Sequence, residues 1–199
     1  MTSFTEELYG LKLETETGSL GALKDFRVST ADWYVRQIVW NSSEWLSSVS
    51  GMLSIETFED FSPDADGIRI KLCGHGRIPS SGGAIWAGMG YQTGATVTAF
   101  RSKPRTDDMA VRSIRSLRGC RVVASDGALG VLTGFMINFP TWKVDEIVVR
   151  TGPWYAGKQI LVSPDAVKIL EGKRSRLEVA LCKEELLRSW EKAEEMGIV

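Results

Sequence analysis

The chain has 199 residues, 43% of them hydrophobic and 25% charged, with a formal net charge of −1 at pH 7. These values are ordinary for a globular protein, and the near-neutral charge argues against a general nucleic-acid coat. Three cysteines without a CxxC pair indicate a reducing compartment rather than a disulfide framework. Since the N-terminus lacks a signal pattern and no apolar stretch is long enough to span a membrane, we expect a cytoplasmic protein.

Five short strands are predicted in the first part of the chain. Turns rich in Gly, Ser, Pro and Asp separate apolar runs, which is typical of a small antiparallel barrel. Thr17-Gly18 marks a hairpin turn, and Gly21 within the next strand indicates a bulge or a tight bend. The predicted strands are 11–14, 20–28, 34–40, 51–55 and 68–72.

A connector follows, in which the strand pattern is lost. Residues 80–94 are rich in Gly and Ser, and Trp86 among them either packs on a barrel or is held for a partner. Seven basic residues against two acidic ones then lie between residues 101 and 121. We expect a solvated linker here, with a docking patch for an acidic partner or RNA as the alternative.

The remaining chain repeats the first part after a shift of 109 residues, from Gly10 against Gly119 to Ser80 against Ser189. Fifteen of the 71 aligned positions are identical, whereas composition alone gives about four or five. The identities are turn glycines and core residues, and no charged side chain keeps its identity. This indicates a duplicated scaffold rather than a duplicated active site. The matching strands are predicted at 121–124, 129–137, 143–149, 159–163 and 177–181.

The tail is the one predicted helix. Residues 183–196 (KEELLRSWEKAEEM) are strong helix formers, and Gly197 supplies a stop. The sequence therefore predicts a mainly β chain of two small antiparallel barrels in tandem with a C-terminal helix. The predicted domains are residues 1–80, a connector at 81–113, and residues 114–199.

The second copy resembles the PRC-barrel domain. The resemblance rests on the hairpin glycine Gly127, on Trp142 and Trp154, and on the run GKQILVSP at 157–164. The first copy looks like the same domain up to Trp45, after which it departs from the pattern. The two copies together are similar to bacterial tandem PRC-barrel proteins.

This resemblance implies a small β-barrel of about six strands without known catalytic residues. Relatives of the domain form the cytoplasmic part of the photosynthetic reaction-centre H subunit and the C-terminal part of a ribosome maturation factor. In both settings the barrel is an assembly module.

No residue pattern nominates an active site or a cofactor. Cys73 and His75 are too few for a structural zinc site, which needs four ligands. The glycines at 82–90 lack the GK[ST] ending of a phosphate-binding loop. No pair of carboxylates recurs between the copies to anchor acid–base catalysis. We therefore expect no enzyme, no metal and no cofactor.

Six residues are candidates for contacting a partner. Trp45 and Trp154 recur at the same place in the two copies, so they either close a barrel end or form solvent-facing hot spots. Trp86 is a candidate for its size, and three arginines are candidates for their charge. The full set is Trp45, Trp154, Trp86, Arg112, Arg115 and Arg118.

The first functional hypothesis is a non-enzymatic adaptor or assembly module that acts through protein contacts with an unknown partner, with homo-oligomer formation left open. The alternative is an RNA- or ribosome-associated factor that uses the basic stretch 101–121 and is retained on RNA in a salt-dependent way. The third is an enzyme or small-ligand carrier with a site in a cleft between the copies.

Overall fold

The computed structural model describes residues 2–16, 18–44, 47–64, 66–72, 111–170 and 176–188. The described chain is mainly β, with fourteen strands. In chain order they are β1 (Thr2–Phe4), β2 (Lys12–Thr15), β3 (Gly18–Ser29), β4 (Val35–Glu44), β5 (Ser47–Ser54), β6 (Phe58–Pro63), β7 (Ile68–Leu72), β8 (Val111–Ser113), β9 (Arg121–Ala124), β10 (Gly127–Asn138), β11 (Lys143–Thr151), β12 (Gln159–Val162), β13 (Val167–Leu170) and β14 (Arg176–Val179).

Short helices accompany the strands. The first two are single turns, α1 (Thr5–Leu8) and α2 (Ile114–Leu117). The third, α3, covers residues 183–188 and confirms the predicted C-terminal helix over its described part. Among the described residues, no helix is both long and apolar enough to cross a membrane.

The chain divides into two compact units, each assembled from separated segments. Unit 1 contains the described residues of Met1–Glu6, Ile114–Asn138 and Lys143–Val199. Unit 2 contains those of Glu7–Ser113 and Phe139–Trp142. The chain passes from one unit to the other at four points, which follow Glu6, Ser113, Asn138 and Trp142.

Each unit holds one seven-stranded sheet, and the two sheets have matching strand orders. Unit 1 has the order β12-β11-β10-β9-β14-β13, with β1 added on β10. Unit 2 has the order β5-β4-β3-β2-β7-β6, with β8 added on β3. The prediction of a mainly β chain is thus confirmed, and the structure has two seven-stranded sheets where two small barrels were predicted.

The sheets are mixed rather than wholly antiparallel, since β14 pairs with β9 in parallel and β7 pairs with β2 in parallel. In each case a long connection through several strands returns the chain alongside an early strand in the same direction. Hairpin signals report only neighbouring strands, so they did not predict this pairing.

The core of each unit lies under corresponding positions of its sheet. Phe26 and Ile38 are fully buried in unit 2, as Phe135 and Ile147 are in unit 1. Full burial of such a side chain contributes about 1.5–3 kcal/mol relative to its exposure. These are the repeated apolar residues that the sequence assigned to a scaffold.

The tryptophans that lie just before β4 and β11 adopt an unusual backbone conformation. Trp33 and Trp142 have φ values of 57° and 59°, in the left-handed region that side chains rarely adopt. Trp33 is buried, and Trp142 packs on Phe58, Phe61 and Phe139 at ring distances of 4.8–5.6 Å within unit 2. Both tryptophans therefore contribute to the packing of unit 2.

Candidate protein-binding surface

A tight turn between β11 and β12 presents Trp154. The turn is a 3-10 helix over Pro153–Tyr155 with proline at its start, where no backbone donor is needed. The left-handed residues Ala156 and Gly157 then reverse the chain. Thr151 closes the loop, because its amide and its hydroxyl both donate to the carbonyl of Lys158, at 2.8 and 2.9 Å.

The indole of Trp154 is held in place although the ring is exposed. Its Nε1 donates to the carbonyl oxygen of Leu129 at 2.7 Å, and the amide of Gly152 donates to the same oxygen at 3.1 Å. Trp154 nevertheless keeps 36% of its surface exposed. An aromatic side chain fixed before binding loses little conformational entropy when a partner arrives.

Two lysines and a second ring surround the indole. Tyr155 stacks beside Trp154 with the ring centroids 5.7 Å apart. The Nζ of Lys183 lies 5.3 Å from the Trp154 ring, and the Nζ of Lys158 lies 5.3 Å from the Tyr155 ring. These are cation–π distances, so each ammonium group is placed at the rim of an aromatic face.

The start of α3 positions Lys183. The carboxylate of Asp126, in the β9–β10 turn, accepts a hydrogen bond from the Lys183 amide at 3.2 Å. The carboxylate of Glu185 accepts one from the Cys182 amide at 2.9 Å, as in a capping box. That bond holds the pKa of Glu185 below its ordinary value.

Leu181, near the start of α3 in the chain, is a further exposed aliphatic residue. It is 37% exposed, two residues before Lys183, and its carbonyl accepts a hydrogen bond from the Ser125 amide at 3.2 Å. We call Trp154, Tyr155, Lys158, Leu181 and Lys183 the Trp154 surface. Tryptophan and tyrosine are residue types that are enriched in protein-binding hot spots.

The titratable side chains of the Trp154 surface are two lysines and a tyrosine. In the part of the chain that the structure describes, no group of three or more His, Cys, Asp or Glu residues could hold a metal ion. Burial raises the pKa of the Cys120 thiol, which makes this cysteine less reactive at neutral pH.

The other predicted contact residues lie elsewhere. Trp45 and Trp86, together with Cys73 and His75, lie outside the described residues. Arg112 lies in β8 of unit 2, whereas Arg115 and Arg118 belong to α2 of unit 1. Arg118 pairs with Glu6 at 2.6 Å. None of these arginines takes part in the contacts that build the Trp154 surface.

Sequence reasoning missed four members of this surface. Tyr155, Lys158, Leu181 and Lys183 come from two segments that meet only through the fold. A local signal existed for Lys183, because a helix was predicted to begin there. Its position over an indole 29 positions earlier in the chain depends on the Asp126 turn.

Comparison with known proteins finds a family similarity in the second half of the chain. Residues 109–185 match the family model of the PRC-barrel domain. That range runs from just before β8 to α3 and includes the Trp154 surface. The family model matches no second region, and no curated protein matches the chain.

Proposed function

We propose that this chain is a non-enzymatic adaptor or assembly module that binds a protein partner through the Trp154 surface. The observation that carries the proposal is that Trp154 is exposed and yet held by a hydrogen bond to Leu129. A tryptophan with no external role is usually buried, since its exposure forgoes a large hydrophobic gain.

We propose further that the chain holds two PRC-barrel copies, the first of them divergent. The matching strand orders of the two sheets support this, as does their register. Phe26 pairs with Ile38 in unit 2, and Phe135 pairs with Ile147 in unit 1, at positions that differ by the same 109 residues. A tandem arrangement suits an adaptor because each copy offers its own surface.

The partner that fits is a protein with an apolar side chain flanked by acidic groups. Trp154 and Leu181 offer the apolar contact, and the ammonium groups of Lys158 and Lys183 are placed to meet carboxylates. An RNA partner at the basic stretch remains the alternative hypothesis. It predicts retention that falls steeply with salt and does not depend on Trp154.

Affinity capture with purified reconstitution tests the proposal. The full chain and its Trp154→Ala and Met52→Ala variants are used to capture proteins, and any protein lost only with Trp154→Ala is purified. Met52 is the control because it is a 45% exposed apolar residue in unit 2. We expect Trp154→Ala to weaken binding by about 2 kcal/mol or more, roughly thirtyfold, and Met52→Ala to leave it unchanged.

A second pair of variants separates surface chemistry from folding. Lys158→Glu and Lys183→Glu keep both rings but reverse the charge at their rim. We expect each to weaken binding mainly through slower association, with an unchanged unfolding midpoint. Equal affinity of all these variants for every captured protein would contradict the proposal.

A further inference from the structure

A segment from the start of the chain completes the sheet of unit 1. β1 pairs with β10, and the register is Thr2 with Asn138, Ser3 with Ile137 and Phe4 with Met136. After Glu6 the chain continues into unit 2. Residues 2–6, the donor segment, therefore lie in unit 1 as a bound peptide would, in a slot beside β10.

Side chains fix the donor segment along its whole length. The hydroxyl of Thr2 donates to Asp145 at 3.0 Å, and the carboxylate of Glu6 pairs with Arg118 at 2.6 Å. Between them the fully buried Thr5 accepts a hydrogen bond from the Phe135 amide at 3.1 Å. The Phe135 amide lies just after a register shift in the pairing of β10 with β11. Thr5 therefore supplies a hydrogen-bond acceptor to a backbone amide next to this break in the strand pairing.

Phe4 occupies a notch that exists because residue 134 is glycine. A Cβ at Gly134 would lie 2.5 Å from Cε2 of Phe4 and 3.2 Å from Oγ1 of Thr5. Both distances are shorter than ordinary contacts. A side chain at this position would force the Phe4 ring to move.

Unit 2 has a corresponding slot in which the sizes of the two facing residues are reversed. There β8 pairs with β3, with Ser113 opposite Arg27 and Val111 opposite Ser29. Asp25 stands where unit 1 has Gly134, and Ser113 stands where the donor segment has Phe4. The Ser113 hydroxyl donates to the Asp25 carboxylate. One slot thus matches a large residue with glycine, and the other matches a small residue with aspartate.

This reciprocity makes each slot selective. A phenylalanine placed against Asp25 would bury its ring on a carboxylate and remove the hydroxyl that the carboxylate accepts from. A serine placed over Gly134 would leave the notch empty. Each strand therefore fits its own slot better than the other.

We propose that the slot beside β10 is a selective strand-binding site that takes the donor segment of a second copy of this chain, so that two chains join by reciprocal strand exchange. The contacts that hold the donor segment on the rest of unit 1 are made by residues 2–6, so the same segment from another copy supplies all of them. Exchange forms these contacts again between two chains, and concentration decides between the closed and the joined form. The inference uses none of the Trp154 surface and is independent of the proposed function.

Two full-length variants with complementary defects test the exchange. Phe4→Ser weakens binding by the donor segment and leaves the slot unchanged, whereas Gly134→Asp blocks the slot and leaves the donor segment unchanged. In a mixture, the native phenylalanine of one chain meets the native glycine of the other. The reciprocal contact reproduces the Ser113–Asp25 pair. We expect an assembly of two chains in the mixture, at least about tenfold more abundant than in either variant alone.

The double variant Phe4→Ser/Gly134→Asp is the matched control, because it restores a fitting pair within one chain. We expect it to remain a single chain at the same concentration, with molar mass measured by light scattering. Phe4→Ala and Gly134→Ser, which make smaller changes, replace the first two variants if either does not fold. A mixture of folded variants that shows only the mass of one chain would overturn the inference.

Discussion

Gly130 shows how a single position decides the local path of the chain. A Cβ there would lie 2.0 Å from the carbonyl oxygen of Arg150, which is far inside any permitted contact. Gly130 also follows a register shift of β10 against β9, between Ala128 and Gly130. The sequence indicated a bulge or a tight bend at Gly21, the counterpart of Gly130, and β10 has a bulge-type register shift here, next to the Leu129 carbonyl that accepts the Trp154 hydrogen bond.

Gly130→Ala is predicted to destabilise the protein by about 3 kcal/mol or more, because backbone must move to admit the methyl group. Ala128→Ser, at an exposed position two residues earlier, is the control and should change stability by less than about 0.5 kcal/mol. Urea unfolding measures both. A Gly130→Ala protein as stable as the Ala128→Ser protein would show that β11 does not approach so closely.

At the scale of elements, α3 and the β11–β12 turn are linked, because Lys183 of α3 contacts the Trp154 ring of the turn. The first turn of α3 is held by the Glu185 carboxylate on the Cys182 amide, and it carries Lys183 to the Trp154 ring. The pKa of Glu185 lies below its ordinary value, so the folded state favours the ionised form. This contribution to stability is present above the ordinary glutamate pKa and is lost as the pH falls through the lowered one.

The first turn of α3 is therefore predicted to open more readily in acid. Hydrogen-exchange protection of the Leu186 amide, which donates to the Cys182 carbonyl at 3.1 Å, should fall as the pH drops below about 4. Glu185→Gln should remove this fall in protection at low pH. Glu184→Gln, which alters only an exposed pair with Arg188, should retain it. An identical pH profile for the two variants would refute the assigned role of Glu185.

Sequence reasoning predicted elements better than their long-range pairing. It located β2, β9 and β11 to within a residue or two, since alternation and turn glycines are local signals. It missed β6 and β13, which begin directly after short 3-10 turns. It also missed β1 and β8, because a three-residue strand has too little pattern and its partner lies far along the chain.

The candidate surface was predictable only in part for the same reason. Trp154 stands out in the sequence because the tryptophan recurs in the other copy. Its hydrogen bond to Leu129 and its contact with Lys183 depend on three segments meeting in unit 1. No local pattern reports that kind of convergence.

At the scale of the whole molecule, each unit is completed by a strand that adjoins the other unit in sequence. β1 belongs to unit 1 and β8 to unit 2, although their chain neighbours at Glu7 and Ile114 lie across the division. The strand added to each sheet therefore lies next to a point where the chain passes between the units.

Hydrogen exchange of the complex with the reconstituted partner tests the central claim most directly. The account predicts that binding slows amide exchange at residues 151–158 and 181–185, the two segments that carry the Trp154 surface, and leaves β3 and β4 unchanged. Protection confined to residues 101–121, with none at Trp154, would contradict it.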